Sequence, residues 1–354
     1  FEGDAFLFYK NVCIEAFGYE LPDDTVSSEE IENQLGPVYD RLKLPYGRLE
    51  MMSGIKERRF WKNGTRPSEV SVFAAKKAIE NSGISRQDIG CLIHGSVSRD
   101  FLEPATASVV HNALDLPSSS AIFDVSNACL GFLNGMIILA NMIELGQVRA
   151  GIIVAGECGK QLVETTINNI LADSEMSRKK IKSYFASLTI GSGAVAVVLA
   201  HSSISKTGHK LLGGKLRSNT RHNDLCVGGV DAEVAHSGDV SMQTDSETLM
   251  INGVELAKET WEEARSNLGW ENNTMARVFC HQVGSAHRKM LYKTLGLDIK
   301  KDFSTLEYLG NTGSASLPIT MAIGIEKELV KKRDKIAMLG IGSGLNCVVL
   351  GVEW

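Results

Sequence analysis

Residues 121–146 read AIFDVSNACLGFLNGMIILANMIELG and contain a strand, a turn with a cysteine and an apolar helix in one piece. The run 121–125 has the β-branched and aromatic residues of a strand, and a helix is predicted over 129–145, ending at Gly146. Apolar residues cover most of the circumference of that helix, which is typical of a buried helix. This stretch predicts an α/β fold with Cys129 at a strand-to-helix junction inside the molecule.

The position of Cys129 suits a nucleophile. Thiolate is the reactive form of cysteine, and the unpaired N–H groups at a helix N-terminus stabilise negative charge. A thiol so placed can attack thioesters, and we expect a pocket to lead to it. The alternative interpretation is a small apolar residue that fills a gap in the core, as we expect for most of the seven cysteines.

The composition disfavours several classes of function. The chain has 354 residues, is 44% hydrophobic and carries a net charge of -5 without a long basic block, so nothing indicates nucleic acid or an anionic membrane surface. Its apolar runs are far shorter than the ~20 residues that span a bilayer. The cysteines are scattered and form no Cys-x-x-Cys pair, which favours reduced thiols, no metal site and a cytoplasmic protein.

Strand-like runs alternate with helical patterns along the chain, which predicts α/β layering. The predicted strands are 88–94, 121–125, 150–155, 194–200, 277–281 and two runs from 335 onward; the predicted helices are 68–82, 105–114, 129–145, 249–268, 286–295 and 316–331. This alternation of strands and helices occurs twice along the chain, so we expect two similar halves, 1–205 and 206–354. Their boundary is placed by the Ser, Lys and Gly content of 202–214.

Two polar residues in the second half are candidates for chemistry. His281 ends a predicted strand, where α/β proteins often display catalytic groups, although a histidine there can also be a satisfied structural residue. Asn311 follows Gly310 in a tight loop before a helix, where glycine lets the backbone approach a ligand. Alternatively, Asn311 adopts a left-handed turn conformation.

Two further segments have more than one interpretation. Residues 339–346, LGIGSGLN, look like a dinucleotide loop, but strand-forming residues follow where a helix should start, so a hairpin between two strands is predicted. Its N–H groups could stabilise an oxyanion. Glu103 and Pro104 precede a predicted helix, where ordinary capping would explain them.

Taken together, NACLGF around Cys129, CHQ around His281, GNTGSAS around Asn311 and GIGSG at 340–344 resemble the thiolase superfamily, specifically ketoacyl synthase III-like condensing enzymes. The resemblance extends over essentially the whole chain. Within that superfamily, SVSRDFLEP at 96–104 and GIGSGLNC at 340–347 are most similar to the OleA-type enzymes of bacterial long-chain olefin synthesis.

The resemblance implies a five-layer αβαβα fold and a homodimer. Cys129 matches the nucleophile, and His281 with Asn311 matches the pair that polarises the thioester carbonyl. Ser343 and Gly344 match the glycine-rich loop beside the cysteine, where the backbone N–H groups of Cys129 and Gly344 would bind oxyanions. Glu103 matches the glutamate that reaches the active site of the neighbouring subunit.

The same resemblance implies the reaction. A decarboxylating condensing enzyme needs no carboxylate base, whereas a non-decarboxylative one must remove a carbon-bound proton, and Glu103 in a dimer interface could do so. We therefore expect Claisen condensation of two long-chain acyl-CoA molecules to a 2-alkyl-3-oxoacyl product, the first step of long-chain hydrocarbon synthesis. Acyl-CoA would be a substrate, no cofactor would be tightly bound, and downstream pathway enzymes would be further partners.

Three alternatives remain at the level of sequence. These are a decarboxylative 3-oxoacyl-ACP synthase III, an acyltransferase of the same fold, and a non-catalytic thiolase-fold subunit. Glu103 disfavours the first two, and the joint presence of Cys129, His281 and Asn311 disfavours the third. Gly284 stands where many ketoacyl synthases III have asparagine, and Met52 where an arginine often contacts the nucleotide, so coenzyme A is favoured over a carrier protein.

Overall fold

The computed structural model describes residues 6–230 and 240–354. Its strands are β1 (Phe6–Phe8), β2 (Val12–Glu20), β3 (Asp24–Ser27), β4 (Glu57–Phe60), β5 (Ile89–His94), β6 (Ala121–Asp124), β7 (Ala150–Glu157), β8 (Gly193–His201), β9 (His209–Ser218), β10 (Cys226–Val230), β11 (Val240–Thr244), β12 (Arg277–Cys280), β13 (Lys335–Gly342) and β14 (Asn346–Glu353). Its helices are α1 (Ser28–Gln34), α2 (Gly36–Leu42), α3 (Arg48–Ser53), α4 (Pro67–Ser82), α5 (Thr106–Leu114), α6 (Gly131–Glu144), α7 (Lys160–Ala172), α8 (Ser246–Leu268), α9 (Ser285–Leu295), α10 (Leu306–Leu309) and α11 (Ser316–Glu326).

One mixed sheet organises the molecule. Its strand order is β12-β13-β14-β9-β2-β8-β7-β5-β6, and β1 pairs with β9. The sheet consists of two parts that meet where β2 pairs with β9, and only Cys13 opposite Lys210 and Ile14 opposite His209 form that seam. The two parts are therefore joined by a short stretch of backbone pairing.

The two parts repeat one arrangement of strands. In the first part, β5 runs parallel to β7, β7 antiparallel to β8, and β8 antiparallel to β2. In the second part, β12 runs parallel to β13, β13 antiparallel to β14, and β14 antiparallel to β9. The expected pair of similar halves is present, and the boundary at 205/206, which falls between β8 and β9, stays a prediction.

Helices cover both faces of each half and give five layers. Alternate residues of a strand face opposite sides, so Ile152 and Val154 of β7 pack towards α4 and α5, whereas Ile153 and Ala155 pack towards α6 and α11. On the other half, α8 and α9 cover the outer face of β12, β13 and β14. Because α6 and α11 lie between the two half-sheets, both are largely apolar, with polar exceptions such as Asn141 and Thr320. The five-layer αβαβα prediction is confirmed.

The predicted elements agree with the observed ones to within three residues, except at the C-terminal end of the last helix. The helix expected from residue 129 begins at Gly131, because residues Ala128–Leu130 form a 3₁₀ turn first. The helix expected to reach residue 331 ends at Glu326. The sequence did not predict an additional apolar cluster in which α1, α2 and α3 pack with α7 beside the five layers.

In the described ranges 6–230 and 240–354, no helix combines the length and the apolar character needed to cross a bilayer.

The start of α6 depends on a close backbone approach. A Cβ atom on Gly131 would lie 2.4 Å from the carbonyl oxygen of Gly95, so Gly131→Ala should lower the free energy of unfolding by about 1–3 kcal/mol through overpacking. Gly229→Ala is the control, because a Cβ there meets no atom of the described residues within 4 Å, and its effect should stay within about 0.5 kcal/mol. Chemical denaturation followed by tryptophan fluorescence measures both, and equal effects would contradict the packing argument.

Candidate active site

A strained turn presents Cys129. The preceding residue, Ala128, has a φ of 44°, a left-handed conformation that costs a non-glycine residue roughly 1–2 kcal/mol. Leu130 closes the turn by donating its backbone N–H to the carbonyl oxygen of Asn127 at 2.9 Å, and its side chain is 0% exposed. Burial of Leu130 offsets the strain at Ala128 and fixes the direction of the thiol. No glycine marks this turn, so sequence patterns could not reveal it.

The glycine-rich segment packs against the same turn. It is a hairpin of β13 and β14, as predicted, and not a dinucleotide loop. A Cβ on Gly340 would lie 2.5 Å from the Leu130 side chain, and one on Gly342 would lie 2.9 Å from it. Glycine at these two positions lets the hairpin approach the Cys129 turn.

Hydrogen bonds hold the tip of the hairpin in place. Asn346 donates its side-chain N–H groups to the carbonyl oxygen of Ser343 at 3.1 Å and to Oδ1 of Asn127 at 3.4 Å. Gly344, at the tip, has a φ of 75°. The predicted pair Ser343 and Gly344 therefore lies on a turn tied to Asn127, two residues before Cys129.

His281 follows the last residue of β12 and is 5% exposed. Its backbone N–H donates to the carbonyl oxygen of Leu339 at 2.9 Å, which fixes its place beside β13. Neither ring nitrogen has a hydrogen-bond partner within the described part of the chain. A satisfied structural histidine would have one, so the ring is free to bind an added group.

The charge state of His281 follows from its burial. Burial lowers the pKa of His281 to about 3, and the neighbouring His287 adds to the effect. The imidazole is therefore neutral at physiological pH, with one N–H to donate and one nitrogen lone pair. A neutral imidazole can donate a hydrogen bond through its N–H group, as the carbonyl-polarising role implied by the resemblance requires.

Asn311 is held in place through both of its backbone groups. Its N–H donates to Thr189 and its carbonyl oxygen accepts from Gly191, both at 2.9 Å. The left-handed positions are Gly310 and Gly313, not Asn311, so the alternative interpretation of Asn311 is wrong. Glycine takes these positions because it has no Cβ to clash.

The Asn311 side chain is oriented by a hydrogen bond. Its Oδ1 accepts from the N–H of Gly313 at 3.1 Å, and its Nδ2 has no partner among the residues described. The Nδ2 amide group of Asn311 is therefore a donor whose orientation is fixed.

The pKa of Cys129 is raised, whereas the sequence predicted a stabilised thiolate. Burial, with smaller contributions from Cys226 and Glu157, raises its pKa to about 12. The expected lowering of the pKa by a helix N-terminus is outweighed by the desolvation of the thiol, which lies ahead of α6. The free thiol is protonated at neutral pH and must lose its proton as it reacts.

Glu103 lies on an exposed loop between β5 and α5, next to Leu102, whose side chain is 97% exposed. The capping interpretation is wrong, because α5 begins at Thr106 and Asp124 accepts from the N–H groups of Thr106 and Ala107 at 2.9 and 2.8 Å. Within residues 6–230 and 240–354, Glu103 has no hydrogen bond or ion pair.

No continuous route to Cys129 is established. A surface cleft of about 480 Å³ is lined by residues of the α1 to α3 region, including Glu29, Tyr46 and Glu50, and lies apart from the residues discussed above. The pocket leading to Cys129 stays a prediction. Where the chain is described, no three His, Cys, Asp or Glu side chains gather as a metal site.

The fold is that of the condensing enzymes of the ketoacyl synthase III type, in which Cys129, His281 and Asn311 are the candidate site residues. Residues 123–220 match the family described as 3-oxoacyl-[acyl-carrier-protein] synthase III, and residues 266–354 match its C-terminal part.

Full-length relatives narrow the class. The acyl-CoA:acyl-CoA alkyltransferase of Shewanella oneidensis MR-1 is 42% identical, over 98% of this chain and 99% of the relative. That of Xanthomonas campestris is 37% identical, over 98% and 100%. The crystal structure of cerulenin-bound Xanthomonas campestris OleA has a TM-score of 0.92 and 37% identity, covering 98% of both chains. The chain belongs to the acyl-CoA:acyl-CoA alkyltransferase (OleA) family.

Proteins named as ketoacyl synthases III also match. That of Fusobacterium nucleatum is 22% identical over 98% of this chain and 99% of the relative. A solved structure of 3-oxoacyl-(acyl carrier protein) synthase III from Xanthomonas oryzae is 36% identical, with a TM-score of 0.92, and covers 98% of this chain and all of that one.

The raised pKa of Cys129 predicts how its reactivity depends on pH. Because the thiolate fraction grows tenfold per pH unit below the pKa, alkylation of Cys129 by iodoacetamide should accelerate about tenfold per unit from pH 7 to 10. Peptide mass spectrometry separates Cys129 from the other cysteines. A rate that levels off below pH 8 would instead indicate a thiolate stabilised in the free enzyme.

Proposed function

We propose that this chain catalyses the non-decarboxylative Claisen condensation of two long-chain acyl-CoA molecules to a 2-alkyl-3-oxoacyl product. One observation carries the proposal: the turn that presents the Cys129 thiol is accompanied by two donors, the ring of His281 and the amide of Asn311, for which the described residues provide no partner. Family membership supplies the class of substrate. Donors without a protein partner are suited to charge that develops on a thioester oxygen.

The first step is acyl transfer. Sγ of Cys129 attacks the carbonyl carbon of one acyl-CoA, the new C–S bond forms, and the original C–S bond breaks. The thiol proton leaves with the coenzyme A thiol. The donors of His281 and Asn311 polarise the thioester carbonyl that is attacked. The backbone N–H groups of Cys129 and Gly344 bind the tetrahedral oxyanion, and Ser343 holds the hairpin tip beside it.

The second step forms the carbon–carbon bond. Glu103 of the partner subunit removes a proton from the α-carbon of a second acyl-CoA, and the enolate carbon attacks the acyl carbonyl on Cys129. The new C–C bond forms as the C–S bond to Cys129 breaks, and the leaving thiolate takes up a proton, so that the free thiol is regenerated. His281 and Asn311 donate to the enolate oxygen, because a neutral imidazole and an amide stabilise this charge without surrendering a proton. The exposure of Glu103 on its own chain supports a role in a neighbouring site of a homodimer.

The wider setting follows from the product. A 2-alkyl-3-oxoacyl compound, released as the thioester or as the β-keto acid after hydrolysis, would be passed to downstream enzymes of long-chain olefin synthesis. We place this reaction in the cytoplasm, with acyl-CoA as substrate and no tightly bound cofactor.

A second candidate function is decarboxylative synthesis with a malonyl donor. It is supported by the match of residues 123–220 and 266–354 to the synthase III family. An acyltransferase of the same fold, which makes no carbon–carbon bond, is the other alternative. The three differ in what they need as second substrate.

The direct test mixes the purified protein with a long-chain acyl-CoA and no malonyl compound. Thiol release and products are followed by thiol titration and mass spectrometry. We expect a β-keto product that contains two acyl chains. Acyl-enzyme that accumulates and condenses only after malonyl-CoA or malonyl-ACP is added would assign the decarboxylative reaction instead.

Two variants separate the steps. Glu103→Ala should still acylate Cys129 and release one thiol per site, yet lose condensation by at least about a hundredfold, the lower range for a general base. Cys129→Ala should abolish both steps while the fold is kept, because a small side chain replaces a small one. Condensation at the wild-type rate in Glu103→Ala would refute the base assignment.

Mixing these variants tests whether Glu103 acts across subunits. A dimer of one Cys129→Ala chain and one Glu103→Ala chain has one complete site. Random 1:1 mixing should therefore restore about a quarter of the wild-type condensation rate from two inactive proteins. No recovery after verified subunit exchange would place Glu103 in its own chain's site.

A further inference from the structure

We propose that Glu157 is a positioning residue that joins the loop that carries Asn311 to the loop that leads to Glu103, so that it orders one loop of its own active site and one loop that serves the neighbouring subunit's site. This role rests on the proposed function and assigns a residue that the reaction scheme above does not use. Glu157 is the last residue of β7 and is 4% exposed. A buried carboxylate is costly unless donors surround it, so its donors indicate its role.

Three donors meet one oxygen of the carboxylate. Oε1 accepts from the backbone N–H of Val97 at 2.9 Å, from the N–H of Ser314 at 3.1 Å and from the hydroxyl of Ser314 at 2.6 Å. Val97 and Ser314 are 217 positions apart and belong to different halves of the molecule. This single oxygen therefore bridges the halves.

The second oxygen holds the loop between β5 and α5. Oε2 accepts from the N–H of Ser98 at 3.1 Å and from its hydroxyl at 3.0 Å. The Ser98 hydroxyl also accepts from the N–H of Cys158 at 3.1 Å, and the Ser96 hydroxyl accepts from the N–H of Gly156 at 2.7 Å. The residues on both sides of Glu157 thus also form hydrogen bonds with this loop, a few residues before Glu103.

On the other side, Glu157 sets the conformation that aims Asn311. Gly313 lies against the carboxylate, because a Cβ there would be 3.0 Å from Cδ of Glu157. The N–H of Gly313 is the group that donates to Oδ1 of Asn311. Anchoring Ser314 therefore fixes Gly313 and, through it, the direction of the Asn311 amide.

The site requires a carboxylate and not an amide. Of the five donors that face the two oxygens, three are backbone N–H groups, which cannot accept. An N–H₂ group in place of either oxygen would face at least one of them and lose that hydrogen bond. The carboxylate also acts on the nucleophile, since its charge contributes to the raised pKa of Cys129. Glu157→Gln should thus disturb both loops and make Cys129 easier to ionise.

The test compares Glu157→Gln, Ser98→Ala and Ser314→Ala with wild type. Thiol release in a single turnover reports acylation, and mass spectrometry reports condensation. Ser314→Ala should slow both by about tenfold, and Ser98→Ala should slow condensation about tenfold but leave acylation within about twofold. Glu157→Gln should slow both at least about tenfold. A purely structural role would not divide the two half-reactions between two serines.

Glu15→Gln is the matched control. Glu15 is also 4% exposed and accepts from the backbone N–H groups of Lys206 and Thr207, outside the active-site loops. It should leave the rates per folded molecule unchanged. Equal losses in the two glutamine variants, wild-type rates in Glu157→Gln, or an undivided response of Ser98→Ala and Ser314→Ala would each overturn the proposal.

A further measurement separates this proposal from the proposed function. The alkylation of Cys129 by iodoacetamide needs no acyl-CoA, and Glu157→Gln should shift its pH profile to lower pH, whereas Glu15→Gln should not. If the wild-type protein fails to condense acyl-CoA, the proposed function is refuted, but the role of Glu157 is not. An unshifted alkylation profile would count against Glu157 whatever the substrate.

Discussion

The fold depends on the burial of two helices, α6 and α11, between two half-sheets. A helix packed between two sheets presents few polar side chains, and those that are buried need partners, as Thr320 of α11 has in Thr305. Cys129 lies just ahead of α6 and Asn311 just ahead of α11. Two of the three candidate residues therefore stand before the central helices, whereas His281 follows β12.

The candidate site residues have local conformations or environments that are unfavourable in free energy, and the packing around them offsets this. Ala128 is held in a left-handed conformation, the ring of His281 is buried without partners, and the Cys129 thiol is kept protonated. Each feature is unfavourable in isolation. The packing of the surrounding apolar core offsets their free energy. A bound thioester, whose oxygen atom accepts hydrogen bonds from His281 and Asn311, would reduce it further.

Sequence patterns predicted the layers, most elements and the positions of Cys129, His281 and Asn311, because hydrophobic periodicity and strand ends depend on local letters. They failed where tertiary contacts decide. Burial, and not the helix terminus, governs the pKa of Cys129, and Asp124 from a neighbouring strand caps the helix assigned to Glu103. Glu157 was missed because its donors come from loops distant in the chain, and no spacing in the sequence encodes their meeting.

The glycines of the β13–β14 hairpin have a consequence for how such chains diverge. Gly340 and Gly342 are two residues apart, so they share one face of the strand, and that face presses on Leu130. Selection would retain both for the fold even in a descendant that had lost its thiol. Their spacing, taken by itself, is therefore a marker of ancestry and not of chemical competence.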